Sequence, residues 1–361
     1  MKTRVAVRIL LTAVLAACCI IAIGCINGDG SRTTALEPTG LPVHTQQATE
    51  NAVSRTPQTG IATASMPEPT PEPTPTPEPT PTPEPTPFTF IWFTDTQHYT
   101  YMGDTGLKMA VDYVLAERES RNITAVLHSG DIIENNAIEA EWKMIKGDFA
   151  PILGVIPFYC VPGNHDAGTN VSVDNKRVYS YDPYRSADMC DVRNAEQLYN
   201  DGECWYQYME NEGLLLLGVG WHLGEPDPAR MEWIDGVLER YIDVPVIMLT
   251  HSYLETDEWL TDVGIVLEKE ITDRHANVRL VLCGHVSRIF RRVKTYEDGR
   301  VVNMVEYNFQ DWGNRGIGYC VIITFDAITR NISFTDYSAL HDDYNYYENT
   351  SRETFVLENA F

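Results

Sequence analysis

Five short apolar runs in this chain end in the same kind of residue. Phe88–Phe93 leads into Thr94-Asp95-Thr96-Gln97, and Ile123–Leu127 closes on His128-Ser129-Gly130-Asp131. Val155–Val161 runs into Gly163-Asn164-His165-Asp166, Val244–Leu249 into Thr250-His251, and Arg279–Cys283 into Gly284-His285. Each run has the length and side-chain content of a strand, and segments of helical spacing stand between them at Leu107–Arg118, Ile138–Phe149, Pro228–Tyr241 and Glu258–His275. Strands alternating with helices build sheets whose carboxyl edges receive ligands. A fold that brings these five ends together collects Asp, Asn, Gln and His at one place. Carboxylate and amide oxygens mixed with imidazole nitrogens suit Mn, Fe or Zn better than Ca, which takes oxygen throughout.

Each residue alone has a plainer use. Asp95 and Asp131 suit helix N-caps, His251 suits a cap or a loop, and Asn164-His165-Asp166 suits a polar turn. The conjunction favours metal, because caps have no reason to recur at five strand ends with a metal-ligand alphabet. Gly130, Gly163 and Gly284 each precede a candidate ligand, where a Cβ would crowd an ion.

The remaining pattern sets the architecture. From Ile289 the chain reads as strand after strand, at 289–296, 301–306, 318–326 and 331–336, with Glu297-Asp298-Gly299 as a hairpin turn and Glu353–Leu357 as a further strand. Cys204–Met209 and Leu214–Gly220 read as a hairpin, and residues 169–202 as an irregular insert. Pro157 predicts an edge position or an irregular start for the third run. The expectation is an α/β chain with helices on a sheet and a second sheet contributed late.

The first 87 residues cannot join that core. Lys2, Arg4 and Arg8 precede the apolar run Ile9–Ile26, the layout of an export signal or membrane anchor over residues 1–26. Leu15-Ala16-Ala17-Cys18 and Ala22-Ile23-Gly24-Cys25 both read as lipoprotein cleavage boxes, so Cys18 and Cys25 are lipidation candidates. An uncleaved helix remains the alternative. Residues 27–87 are rich in Pro, Thr and Glu and end in Pro-Glu-Pro-Thr repeats, a composition that gives an extended linker. The expectation is one domain, 88–361, exported and tethered to the outer face of a bacterial membrane or the cell surface, with membrane contact through the N-terminal anchor only.

Charge narrows the partners. Residues 1–88 hold five basic and seven acidic side chains, so nearly all of the net −24 belongs to the domain. Such a field repels phosphate backbones, and no nucleic-acid binding is expected. Five cysteines follow the leader, at 160, 190, 204, 283 and 320. Cys190 and Cys204 flank a polar segment and are candidates to pair in an oxidising compartment.

The order Asp95-x-Gln97, Gly130-Asp131, Gly163-Asn164-His165-Asp166, His251, Gly284-His285-x-Ser287 resembles the calcineurin-like metallophosphoesterases, whose signature runs Asp-x-His, Gly-Asp, Gly-Asn-His-Asp/Glu, His, Gly-His-x-His. The resemblance covers Phe88 to about Phe325. Thr94–Gln97, Cys283–Val286 and Tyr307-Asn308-Phe309-Gln310-Asp311 resemble an exported bacterial subgroup carrying Gln in the first motif. The implied fold is a layered α/β/β/α sandwich of two mixed sheets flanked by helices. The implied cofactor is one or two divalent transition metal ions (Mn, Fe or Zn). Asp131 would bridge the ions, with Asn164, His251 and His285 on one and Asp95 and Gln97 on the other. The family's last histidine is Ser287 here, which puts that second position in doubt. Arg288 offers a fixed positive charge in its place.

By the same resemblance His165 protonates the leaving oxygen and Asp166 orients its imidazole. Trp221 and His222, with Trp205 and Tyr206, are candidates to line the pocket mouth. The implied activity is metal-dependent hydrolysis of a phosphomonoester or phosphodiester, on a small or cell-surface substrate. The competing reading is a catalytically weakened surface binding module on the same fold. A phosphoprotein phosphatase is a further rival.

Overall fold

Phe-Thr-Phe-Ile-Trp-Phe at 88–93 is buried on both faces, and its alternation shows how the layers arise. Phe90 and Trp92 lie in one apolar cluster with Leu127, Leu249, Leu280 and Leu282. Ile91 and Phe93 point the other way, into a cluster with Leu107, Val111, Ile145 and Phe149. A two-residue period sends successive side chains to opposite faces, so this strand separates a sheet-on-sheet core from a sheet-on-helix core. Val278–Cys283 does the same from the other sheet. Leu280 and Leu282 enter the shared core, while Val281 and Cys283 pack among Ile234, Leu238 and Leu267.

The computed structural model describes residues 86–171, 177–222, 227–310 and 318–361, all within the unit Glu78–Phe361. The leader at 1–26 with Cys18 and Cys25, the linker as far as residue 85, and Asp311 lie outside the described residues. Among those described, no helix is long and apolar enough to cross a membrane.

In chain order the early strands are β1 (Phe88–Phe93), β2 (Ile123–His128), β3 (Phe158–Cys160), β4 (Gly168–Val171), β5 (Arg177–Ser180), β6 (Leu198–Tyr199), β7 (Cys204–Met209) and β8 (Leu214–Val219). The later ones are β9 (Val246–Thr250), β10 (Val278–Cys283), β11 (Ile289–Thr295), β12 (Val301–Tyr307), β13 (Tyr319–Asp326), β14 (Asn331–Ser338), β15 (Asp343–Tyr344) and β16 (Phe355–Leu357). The helices are α1 (Tyr99–Met102), α2 (Thr105–Glu117), α3 (Glu139–Phe149), α4 (Asp182–Ala187), α5 (Pro228–Arg240), α6 (Asp262–Leu267) and α7 (Thr350–Glu353).

Two mixed seven-stranded sheets result among the described residues. The first runs β15-β14-β13-β1-β2-β3, with β16 added on β14. The second runs β11-β12-β10-β9-β8-β7-β6. β1, β2 and β3 are parallel, as are β8, β9, β10 and β12, so their carboxyl ends lie on one edge of each sheet. With α2 and α3 on one outer face and α5 and α6 on the other, this is the expected α/β/β/α sandwich.

Four expectations are corrected. The second sheet is not contributed late: β11 and β12 extend it, whereas β13, β14, β15 and β16 return to the first sheet beside β1. Only Phe158–Cys160 of the third run is strand. Residues 151–156 are turns, and Pro157 hands its carbonyl to Val126 N (2.8 Å) at the sheet's edge, the place a missing N–H allows. The 169–202 insert is not irregular throughout: its described residues include the antiparallel pair of β4 and β5, α4 and the short strand β6 paired to β7. The 258–275 segment forms α6 followed by one π-helical turn, Glu268–Thr272.

Candidate metal centre

Three candidate ligands leave their strands with a left-handed backbone: Asp95 (φ 52°), Asp131 (φ 52°) and His285 (φ 79°). A non-glycine residue adopts that conformation at a cost, and it persists where surrounding contacts hold it. The contacts are visible. Asp95 N donates to Gly130 O (3.1 Å), Gln97 N to Asp131 O (3.0 Å), and Gly284 N to His251 O (2.8 Å), so neighbouring loops are laced together at the edge of each sheet. The capping alternative is not what the chain does. α1 and α2 start at His98 and Asp104, α3 at Ile138 and α6 at Thr261, leaving Asp95, Asp131 and His251 free of helix ends.

Close approach explains two of the glycines. A Cβ on Gly163 would stand 2.2 Å from Asp131 Oδ1, and one on Gly284 would stand 2.3 Å from Asp95 Oδ2. The crowding is against neighbouring ligand carboxylates, a tighter constraint than the expected one against an ion.

His251 is the hub. It is fully buried, and its Nδ1 donates to Ser129 O (2.9 Å), which fixes Nε2 as the free nitrogen. Around that Nε2 stand Asn164 Oδ1 (3.0 Å), His285 Nδ1 (3.2 Å) and Asp131 Oδ1 (3.3 Å). Lone pairs thus converge with one proton at most to share. Burial would strip that proton, but Asp131 and Asp95 override it and lift His251 to about 9. Burial likewise pushes Asp131 up, and the facing His251 overrides it, holding Asp131 at about 2. His285 drops to about 4, through burial and then the charge on His251. The pocket demands one positive charge. Ligands about 2.1 Å from a common ion, at right angles, stand about 3 Å from each other, so this spacing fits a transition metal as well as a proton. Asp131, His251 and His285 all offer donor atoms within 4.8 Å of one another.

Asp131 also faces the other way. Its Oδ2 accepts from Gln97 Nε2 (3.3 Å), and Gln97 Oε1 is buried with no hydrogen-bond partner. An orphaned amide oxygen beside a carboxylate is what a second cation would satisfy. Asp95 adjoins it, taking hydrogen bonds from His285 N (3.2 Å to each oxygen) and Thr94 Oγ1. Burial raises Asp95 to about 7. Ser287 and Arg288 do not join this side. Both are exposed, and the Arg288 guanidinium sits 5.7 Å from the Tyr347 ring, so the expected substitute charge is corrected. The cause is the turn at His285 and the hold on Val286 described below.

His165 stands at the open side, a third exposed, with Nδ1 2.8 Å from Glu134 O and 3.7 Å from the Glu134 carboxylate. Its Nε2 lies 4.0 Å from Asp131 Oδ2, and the net effect of Asp131 and Glu134 against burial is a raised pKa. The expectation that Asp166 orients this imidazole is corrected. The Asp166 carboxylate is buried and accepts from the backbone of Gly163 (2.8 Å), Ile132 (2.9 Å) and Ile133 (3.2 Å), tying the second and third loops together. Burial raises it to about 7. Trp221 is brought in, its ring 5.1 Å from that of His285 and 5.7 Å from that of His251. His222 turns toward Glu203 (3.7 Å), which pairs with buried Arg230 (3.1 Å). Trp205 packs on Tyr159 inside the sheet-on-sheet core, and Tyr206 packs with Trp233 on the far side of β7.

Two contributors escaped the sequence. Glu134 holds His165, and Glu306 of β12 holds the His285 loop. Glu306 is fully buried, accepts from Val286 N at 3.1 Å and from the Cys283 thiol at 3.6 Å, and burial raises its pKa. The signal was a lone carboxylate in the apolar run Val-Val-Asn-Met-Val-Glu-Tyr. Of the late motif, Gln310 reaches back, its Nε2 donating to Asp95 O at 3.1 Å.

The sequence model of the calcineurin-like phosphoesterases matches residues 88–288, more than half of the chain. The uncharacterized protein YvnB of Bacillus subtilis is 26% identical over 271 residues, covering 72% of this chain and 20% of YvnB. A probable glycerophosphodiester phosphodiesterase, GpdQ of Arcobacter nitrofigilis, is 23% identical over 175 residues, covering 45% of this chain and 56% of GpdQ. The chain thus spans a fifth and just over half of these relatives. Among solved structures, purple acid phosphatase PPD1 of yellow lupin overlays with a TM-score of 0.49 at 13% identity, over 76% of this chain and 54% of that one. GAP50 of Plasmodium overlays at 0.48 and 12% identity, over 75% and 88%.

Proposed function

The chain belongs to the calcineurin-like phosphoesterase family, and from that premise we propose that it hydrolyses a phosphoric ester with the help of divalent metal. One observation carries the reading: three ligand atoms, from Asp131, Asn164 and His285, stand within 3.3 Å of His251 Nε2, so that four loops present donors to one point where a cation fits. Asp131, Asn164, His251 and His285 would hold one ion, and Asp131, Asp95 and Gln97 a second. Mn, Fe or Zn fits the mixed oxygen and nitrogen donors. Such ions, when bound, supply Lewis-acid charge and water of lowered pKa.

The chain's own residues supply the rest. Glu134 O, by accepting from His165 Nδ1–H, leaves Nε2 to face the open side of Asp131. In its protonated form, which Asp131 and Glu134 favour, His165 gives that proton to the leaving oxygen. Asp166 keeps the second and third loops in register without touching the proton path. Trp221 packs on the rings of the two histidines and helps to hold them in place.

A phosphodiester is the first substrate class to test, since GpdQ is named as a probable glycerophosphodiester phosphodiesterase and that relative shares this segment. We further place the chain in an exported subgroup with Gln in the first motif, acting on a small or cell-surface ester. The basic-then-apolar start and the proline-rich linker support that placement. Fractionation of cells carrying the C18S and C25S forms tests it, and recovery of unaltered chain from the cytosol overturns it.

The activity is tested by stripping metal with chelator, restoring Mn²⁺, and assaying paired aryl phosphate mono- and diesters, with Asp131→Asn in parallel. Turnover that follows Mn²⁺ and vanishes in the variant supports hydrolysis. Metal uptake without turnover on either substrate supports the binding module. Hydrolysis confined to phosphoserine peptides supports the protein phosphatase.

A further inference from the structure

The insert between β5 and β7 lies against β3. Asp191 N donates to Phe158 O at 2.8 Å, and the Asp191 carboxylate accepts from Phe158 N at 2.6 Å. This sets Cys190 next to β3, the strand whose last residue is Cys160. Tyr184 of α4 approaches the same place, its hydroxyl donating to Cys160 O (2.8 Å) and standing 3.4 Å from Cys160 Sγ. Cys190 packs against the cluster that holds Cys160 and Tyr184, the Trp205 indole beside Cys190 donates to Cys160 O (2.7 Å), and the Cys160 thiol with the backbone N–H groups of Cys160 and Val192 lowers the Cys190 pKa. Cys204, the candidate partner in the sequence, is buried at the start of β7 among Val219, Ile234 and Met231, in the core under α5.

We propose that Cys160 and Cys190 join as a disulfide, a covalent staple between β3 and the insert. Cys190 is partly exposed and lines a cavity of about 180 Å³ with Met189, Arg193, Leu198 and Trp205, whereas Cys160 is buried. Cys190 is therefore the entry thiol. Its thiolate, favoured by the Cys160 thiol and those backbone amides, attacks one sulfur of an oxidant disulfide, of glutathione or of a dithiol oxidoreductase, and releases one thiol. Cys160 then loses its proton and attacks the Cys190 sulfur of the mixed disulfide, releasing the second thiol. Two electrons pass from the cysteine pair to the oxidant.

The staple matters to the centre, independently of which reaction is run there. β3 continues through Val161-Pro162 into Gly163-Asn164-His165, and the insert's Tyr181 donates its hydroxyl to Trp221 O. Oxidation ties the two segments that flank the candidate ligands.

The full chain is equilibrated in an oxidised glutathione buffer, alkylated and mapped without reduction. Cleavage at Lys146, Lys176, Arg185, Arg193 and Arg230 puts Cys160, Cys190 and Cys204 on separate peptides. A 160–190 linked pair that persists in C204S, disappears in C190S, and raises the Tm of the wild type but not of C190S supports the staple. A 190–204 linkage, a stable glutathione adduct on Cys190 with Cys160 free, or alkylation of both Cys160 and Cys190 after oxidation overturns it.

Discussion

On the His251 side of Asp131, two imidazoles, an amide and a carboxylate meet within 3.3 Å of one nitrogen. On the Gln97 side, Asp95 spends its oxygens on His285 N and Thr94, Gln97 keeps one oxygen unpaired, and Ser287 faces solvent. Both sides share Asp131 and grow from the same sheet edges. They differ in how many nitrogen donors the loops deliver. Imidazole binds transition metals more strongly than an amide oxygen, so the proposed two-ion reading makes the His251 side the tighter position and the Gln97 side the weaker, with activity expected to follow occupancy of the weaker.

The comparison breaks first at Asp131, the shared group. Asp131→Asn should abolish stoichiometric metal uptake on both sides and bring turnover to background. Retention of either ion by elemental analysis would show that the two sides are independent. His165→Ala should keep the metal content and lower the rate by about 10²–10⁴-fold, most for poor leaving groups. Loss of metal would instead make His165 part of the coordination.

Glu306 tests the His251 side alone. Glu306→Ala should weaken the tighter ion by about 10–100-fold, as loss of a partner that orients a ligand does. Glu306→Gln, which can still accept from Val286 N, should restore it in a titration of the metal-free protein. Equal loss in both variants would mean that a carboxylate charge, and not the hold on the loop, matters.

The cation demand of that side also predicts a pH effect. His251 is raised from 6.5 to about 9, and Asp95 and Asp166 from 3.8 to about 7. In each case the folded state binds more protons than the unfolded one, so stability is full below the unfolded pKa and is lost as pH rises through the folded one. Asp131, lowered to about 2, acts only below 3.8. The Tm of metal-free protein should fall between roughly pH 4 and pH 9, and the metal-loaded protein should lose less. A flat profile for both would remove the proton as the ion's stand-in. The smallest effect is expected from Gln97→His, which adds a nitrogen donor to the weaker side. It should lower the Mn²⁺ concentration needed for half-maximal occupancy of the second position, read by calorimetry.

Much of this centre was legible along the chain. Apolar runs closing in Asp, His and Gly-Asn-His-Asp placed the candidate ligands at strand ends, because the two-residue period of a strand is a local property. Pro157 announced the edge for a local reason too, its missing N–H. The capping and turn alternatives for Asp95 and Asp131 were local as well, and nothing local could reject them.

Tertiary structure decided the rest, for one physical reason. Whether a polar group is a ligand, a brace or a bystander depends on what burial sets beside it, and those neighbours come from elsewhere in the chain. Asp166 turned out to serve the amides of Ile132 and Ile133. Glu134 took the role expected of Asp166. Glu306, registered opposite Cys283 across parallel strands, came to hold a loop of which the sequence showed only the histidine. Cys190 came to pack in the cluster that holds Cys160 because an irregular stretch with no period of its own lay down on an edge strand. Residue types and their spacing determined the chemistry available to this protein. The pairing of strands across the two sheets decided which atoms share it.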